Sequence, residues 1–305
     1  MDGLDRTGYM QKLVKIALHS AALSLPLNDA AWAVDILRRE AASAPEQVGA
    51  SLGDLALRFA AGRAEIGDQV IARIAGPQWS GTMIQQALIE PAYRPFAIAL
   101  LSRQPTGAQV RWPPLQDCYG TLLKLSAGDT GGATAAMRRL HAFEATDPPP
   151  LPSLEWQQSE FRVCDLLLQA LVERTPARGE ARPSLDRLDS LMQFGPRGFL
   201  GPANFAPTAY ANFTIARLRE AQGDLPRARA AIRRRDVDYF PAYTWSLAAF
   251  LRQEGRLAAL SGDTSGALRA YDSYLAMRTA PDAVFRSQRD SVIAERARVL
   301  TRPRA

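Results

Sequence analysis

The residues of this 305-residue chain best suited to metal or redox chemistry are two cysteines, Cys118 and Cys164, and two histidines, His19 and His141. They are scattered along the sequence, whereas metal sites of the usual kind draw on ligands paired a few residues apart, so no metal site is expected. Each cysteine lies in a run that reads as apolar helix, which makes buried free thiols the expectation and a disulfide the alternative. His141 follows Arg138 and Arg139 in a stretch read as nearing a helix end, where a cation suits the dipole; no Ser or Cys nucleophile is tied to it by motif. Asp186 and Asp189 stand one helical turn apart and could mimic a carboxylate pair, yet Arg182, Arg187 and a helix start account for them as solvated charges. GPRGFLG (195–201) lacks the preceding strand and the Lys-Ser/Thr ending of a phosphate-cradling loop. Asn212-Phe213-Thr214 spells a glycosylation acceptor inside an expected helix. No catalytic residue, cofactor or metal is therefore expected, and the chain is not expected to be an enzyme.

The elements that would hold any such residues announce themselves through a repeated spelling. GDTGGA (128–133), GDLPRA (223–228) and GDTSGA (262–267) share Gly-Asp followed four residues on by Ala, with a weaker copy at GDQVIA (67–72) and a glycine-less one around Asp29. A glycine just past a helix supplies the left-handed backbone that ends it, and the next aspartate can cap the following helix. Gly128, Gly223 and Gly262 are thus read as stops, and Asp129, Asp224 and Asp263 as starts. Ala133, Ala228 and Ala267 fall one turn into the second helix, where a small side chain lets two helices approach closely. Met137, Ile232 and Tyr271 extend the same stripe. Asp29 to Asp68 and Asp224 to Asp263 both span 39 residues, a period within the range of helical repeats.

Upstream of two motifs lie first helices with their own apolar stripes: Phe213, Ile215, Ala216 and Leu218 before Gly223, and Leu247, Leu251, Leu257 and Leu260 around Gly255 before Gly262. On these residues, 209–300 resembles the tetratricopeptide repeats. Gly255 matches the small residue of the first helix, Ala267 the early small residue of the second, Tyr271 its later aromatic, and Pro281 the closing proline. Asn212 and Arg219 depart from the family's aromatic positions. The resemblance implies an all-α solenoid of stacked antiparallel hairpins that grips a protein partner. The region also resembles the helical-repeat tails of bacterial signalling kinases and regulators, although no kinase motif is present.

Elsewhere Pro and Gly punctuate the chain. TDPPPLPS (146–153) is expected to be an elbow between degenerate N-terminal hairpin repeats (1–145) and more regular C-terminal ones (154–305). Helical stripes run through Phe161, Cys164, Leu167, Leu168 and Leu171, and through Leu185, Leu188, Leu191 and Met192 behind a capping Ser184. A composition of 47% hydrophobic and 22% charged residues is that of a globular chain rather than a disordered one. The apolar run 13–27 is interrupted by Lys15 and His19, so no transmembrane segment is expected, and a cytoplasmic location is favoured over export.

The net charge of +6 leaves a basic surface. Arg38-Arg39, Arg138-Arg139 and Arg233-Arg234-Arg235 recur at one distance from the hairpin aspartates. They either stabilise the ends of the second helices or align into a ridge for an acidic partner, nucleic acid or an anionic surface. Tyr210, Phe213, Tyr239, Phe240, Tyr243 and Trp245 are candidate partner anchors, with core packing as the alternative. These features point to a protein-interaction scaffold, an adaptor or accessory subunit of a larger assembly, with nucleic acid as the alternative partner.

Overall fold

The computed structural model describes Gly62 and residues 84–102, 113–129, 131–146, 154–173, 182–194, 208–234 and 242–301. Among them the fold is all-α, with no strand. Helical residues 84–89 and a 3₁₀ turn, Pro91–Tyr93, lead into α1 (Arg94–Ser102), α2 (Pro113–Ser126), α3 (Gly131–Thr146), α4 (Leu154–Val172) and α5 (Pro183–Phe194). Then come α6 (Thr208–Ala221), α7 (Leu225–Arg233), α8 (Ala242–Leu260), α9 (Thr264–Met277) and α10 (Ala283–Thr301). The chain divides into two compact units, Ile71–Arg234 and a second that joins Met1–Val70 to Arg235–Ala305. Helices α3 and α4, which flank the Pro-rich elbow, belong to the same unit.

The Gly-Asp spelling closes three hairpins in one way. Gly128, Gly223 and Gly262 take φ of +93°, +82° and +75°, the left-handed region that costs a Cβ-bearing residue about 1–2 kcal/mol. In each, the glycine N–H bonds the carbonyl three residues back (Leu125, Glu220, Ala259) and the aspartate N–H the carbonyl five back (Lys124, Arg219, Ala258). This paired closure satisfies carbonyls that the helix end leaves open. The aspartate side chain then accepts from an N–H of the next helix's first turn: Asp224 and Asp263 cap α7 and α9 through the N–H groups of Arg227 and Gly266, three residues on, while Asp129 accepts from Gly131, two residues on, at the start of α3.

Burial follows the motif. Ala228 and Ile232 on α7, and Ala267 and Tyr271 on α9, are buried. Ala133 lies in α3 with its side chain outside the described residues. The position seven beyond each aspartate is buried in all three copies and is alanine in each: Ala136, Ala231 and Ala270. This second small residue, two turns into the helix, was not singled out from the sequence, although its identity is as regular as the first.

In the 71–234 unit each helix from α2 to α7 packs on the next, and α2 also meets α4, as α4 meets α6. Gln85 joins three elements here. Its Oε1 accepts from the N–H groups of Ala209 and Tyr210 (3.0 and 3.3 Å), capping α6 from a distance, and its Nε2 donates to the Tyr119 hydroxyl of α2. The α4–α5 hairpin has no Gly-Asp. Buried Arg182 instead donates to the carbonyls of Ala170 and Glu173 at the end of α4. Ser184 lies inside α5 rather than capping it, its hydroxyl bonded to Gln169 of α4.

In the other unit α8, α9 and α10 pack on one another around Leu247, Leu251, Ala258, Ala267, Tyr271, Tyr274, Val292 and Val299. A Cβ on Gly255 would stand 2.5 Å from the Tyr271 ring, so the α8–α9 approach depends on that glycine. The Tyr271 hydroxyl donates to Glu295 of α10 at 2.6 Å, tying three helices through one side chain. Leu260, expected in the α8 stripe, is instead 51% exposed, because the helix turns it away at its last residue. Pro281 and fully buried Arg278 pack against Gly62, whose carbonyl accepts from the Asp282 N–H, and Arg278 lies over the Phe285 ring at 4.3 Å.

Candidate functional site

The arginines read as a ridge do not act alike. Arg138 and Arg139 sit in the middle of α3 rather than its last turn, because that helix runs on to Thr146. Both are exposed, and Arg139 bonds Asp117 of α2 at 2.8 Å. Arg233 ends α7 and is exposed. Arg234 leaves the ridge: it turns inward, donating to the Asp189 carboxylate and to the Asp189 carbonyl at 3.0 Å. Arg38, Arg39 and Arg235 lie outside the described residues.

What Arg234 joins is a charged seam across α5, α6 and α7. Asp189, read from sequence as a solvated charge, is buried between Arg219 and Arg234. Arg219 is itself 4% exposed and bridges Asp189 (2.9 Å) and Asp186 (2.6 Å). Burial alone disfavours its charge, but the hydrogen bonds and charges of the two aspartates outweigh that, so the guanidinium is held above its ordinary range. The carboxylates one turn apart on α5 thus do structural work: they neutralise a buried arginine of α6. The signal in the sequence was Arg219 itself, a charge set on an apolar stripe. Asn212 is also buried, its Nδ2 bonded to the Arg234 carbonyl, which places the glycosylation triplet in helix interior.

Tyr210 and Phe213 are core residues, not anchors, and burial raises the Tyr210 hydroxyl above its usual range. Tyr239 and Phe240 lie outside the described residues; Tyr243 and Trp245 are on α8 with side chains outside them. The expectation of free thiols is corrected. Cys118 of α2 and Cys164 of α4, both fully buried, are bonded to each other with Cα atoms 6.3 Å apart. Spacing in sequence carried no sign that α2 and α4 are neighbours; the bond is of a kind that persists in oxidising compartments. His141 lies five residues before the end of α3, not at it, and its Nε2 is 2.9 Å from Asp165 on α4.

Among the described residues no group of three or more His, Cys, Asp or Glu is placed to hold a metal ion. None of the described helices is long and apolar enough to cross a membrane. No family model, curated protein or solved structure matches the chain.

Proposed function

We propose that this chain is a non-catalytic protein-interaction scaffold, an adaptor or accessory subunit of a larger assembly, built as a tetratricopeptide-like solenoid. The observation that carries the reading is the shared construction of α2–α3, α6–α7 and α8–α9: one Gly-Asp closure, an aspartate that accepts from the next helix's first turn, and alanines buried at one offset. Alternate helices that touch, α2 with α4 and α4 with α6, support a stack in which each hairpin lays its first helix beside the previous one. The Tyr271 ring seated on Gly255 supports the resemblance at its two most diagnostic positions. A stack of this kind buries one stripe of each helix and leaves the remaining faces to grip an extended partner.

Purification of the tagged chain from its own cells, at low and high salt and with nuclease, tests the reading. A protein recovered in stoichiometric amount under all conditions is the expected result. Recovery of nucleic acid alone, lost as salt rises, would contradict it.

A further inference from the structure

Helix α10 carries more apolar surface than α8 and α9 cover. Phe285, Val292 and Val299 recur every seven residues and are buried. One residue further on, about 100° around the helix, Ile293 and Leu300 remain 41% and 55% exposed. Ala297, also exposed, lies between them, so the three share one face at i, i+4 and i+7. The same periodicity brings Arg286 and Arg289 onto this face and puts Arg296 at one border and the exposed Asp290 at the other. Arg296 is held by Asp272 of α9 at 2.6 Å. Arg289 donates through Nε to the Arg278 carbonyl, and neither it nor Arg286 has a carboxylate partner among the described residues.

We infer that this face docks an acidic amphipathic helix of a partner protein, laid along Ile293, Ala297 and Leu300 with its carboxylates toward Arg286 and Arg289. The inference rests on the scaffold reading and gives it a surface. Ala297 lets the incoming helix approach closely, as the buried alanines do within the hairpins. The cations at the edge favour acidic over basic or neutral partners. An anionic membrane fits less well, because two large apolar side chains on a helix anchored from behind insert little hydrocarbon. A nucleic acid would use the arginines and leave Ile293 and Leu300 facing phosphate.

The test sets the full chain against a displayed library of helical peptides about five turns long, with leucines fixed at i, i+3, i+4 and i+7 and the flanks randomised. Selected peptides should be enriched in Asp and Glu. Ile293→Asp and Leu300→Asp should each weaken a selected peptide at least about tenfold, in chains that still melt cooperatively, because Ile293 and Leu300 are 41% and 55% exposed. Arg286→Glu with Arg289→Glu should turn the preference toward Lys-flanked peptides. The inference is overturned by a library that yields no binder, by binders without acidic bias, or by binding indifferent to the two aspartate variants. It is equally overturned if phosphatidylserine vesicles bind through this face and the peptides do not. Each of those results leaves the scaffold reading intact, since co-purification decides it separately. A chain that co-purifies with no protein sinks that reading whatever the peptides do.

Discussion

The α8–α9 interface is closed by an aromatic ring lying on a glycine, whereas the α5–α6–α7 seam is closed by a carboxylate held between two guanidiniums. Both join helices that follow one another in sequence, and both hairpins end in the same Gly-Asp turn. The materials nevertheless respond to different insults. The aromatic neck depends on volume: it has no room for a methyl group at Gly255, while its polar atoms sit at the edge, where Tyr271 reaches Glu295. The seam depends on charge balance, since Asp189 and Arg219 are both buried and neither can lose its partner cheaply. A repeat can therefore keep its backbone closure while exchanging the filling between its helices.

The largest expected effect comes from breaking the seam. Asp189→Ala leaves Arg219 buried with the half-exposed Asp186 and the neutral Gln222 as partners, and should cost about 3–5 kcal/mol in urea unfolding. A loss under about 1 kcal/mol would show that water replaces the carboxylate and that the seam is peripheral. The volume argument comes next. Ala228→Leu and Ala267→Leu, at fully buried positions, should each cost about 1–3 kcal/mol by overpacking. Ala283→Leu, at the exposed first residue of α10, should be nearly silent, and equal effects at the three sites would break the register.

Gly262→Ala tests the closure rather than the filling. It introduces a Cβ at φ +75° with nothing within 4 Å to obstruct it, so the expected loss of about 1–2 kcal/mol is conformational alone. The smallest effect is one of pH. Burial and the Glu295 hydrogen bond raise the Tyr271 hydroxyl above its ordinary value of 10.0. The folded chain thus keeps this proton more tightly than the unfolded one. The stabilisation is complete below about pH 10 and is lost as pH climbs toward the raised value. Tyr271→Phe should flatten the alkaline fall in Tm; an unchanged slope would assign that fall to other groups, with Tyr210 the next to examine.

The Gly-Asp hairpins were legible because each needs only local signals: a left-handed glycine, a capping aspartate and a small residue one turn on. Even the alanines seven residues beyond the aspartates were written in the sequence. The seam was not legible, since Asp186, Asp189, Arg219 and Arg234 are brought together by three separate helices and each looks solvated within its own. The Cys118–Cys164 bond and the capping of α6 by Gln85 escaped for the same reason, being contacts between elements distant in sequence. Arg234 shows the hazard of reading a surface from periodicity, because a cation in register with exposed neighbours can still fold inward.

The central claim is that Gly-Asp turns close repeated helical hairpins, and residue-resolved amide hydrogen exchange on the intact chain tests it most directly. The N–H groups of Gly223, Asp224, Gly262 and Asp263 should exchange as slowly as the helices they terminate, because each is bonded back to a carbonyl of its own helix. Exchange at the rate of an open loop at these four amides, with the flanking helices still protected, would contradict it.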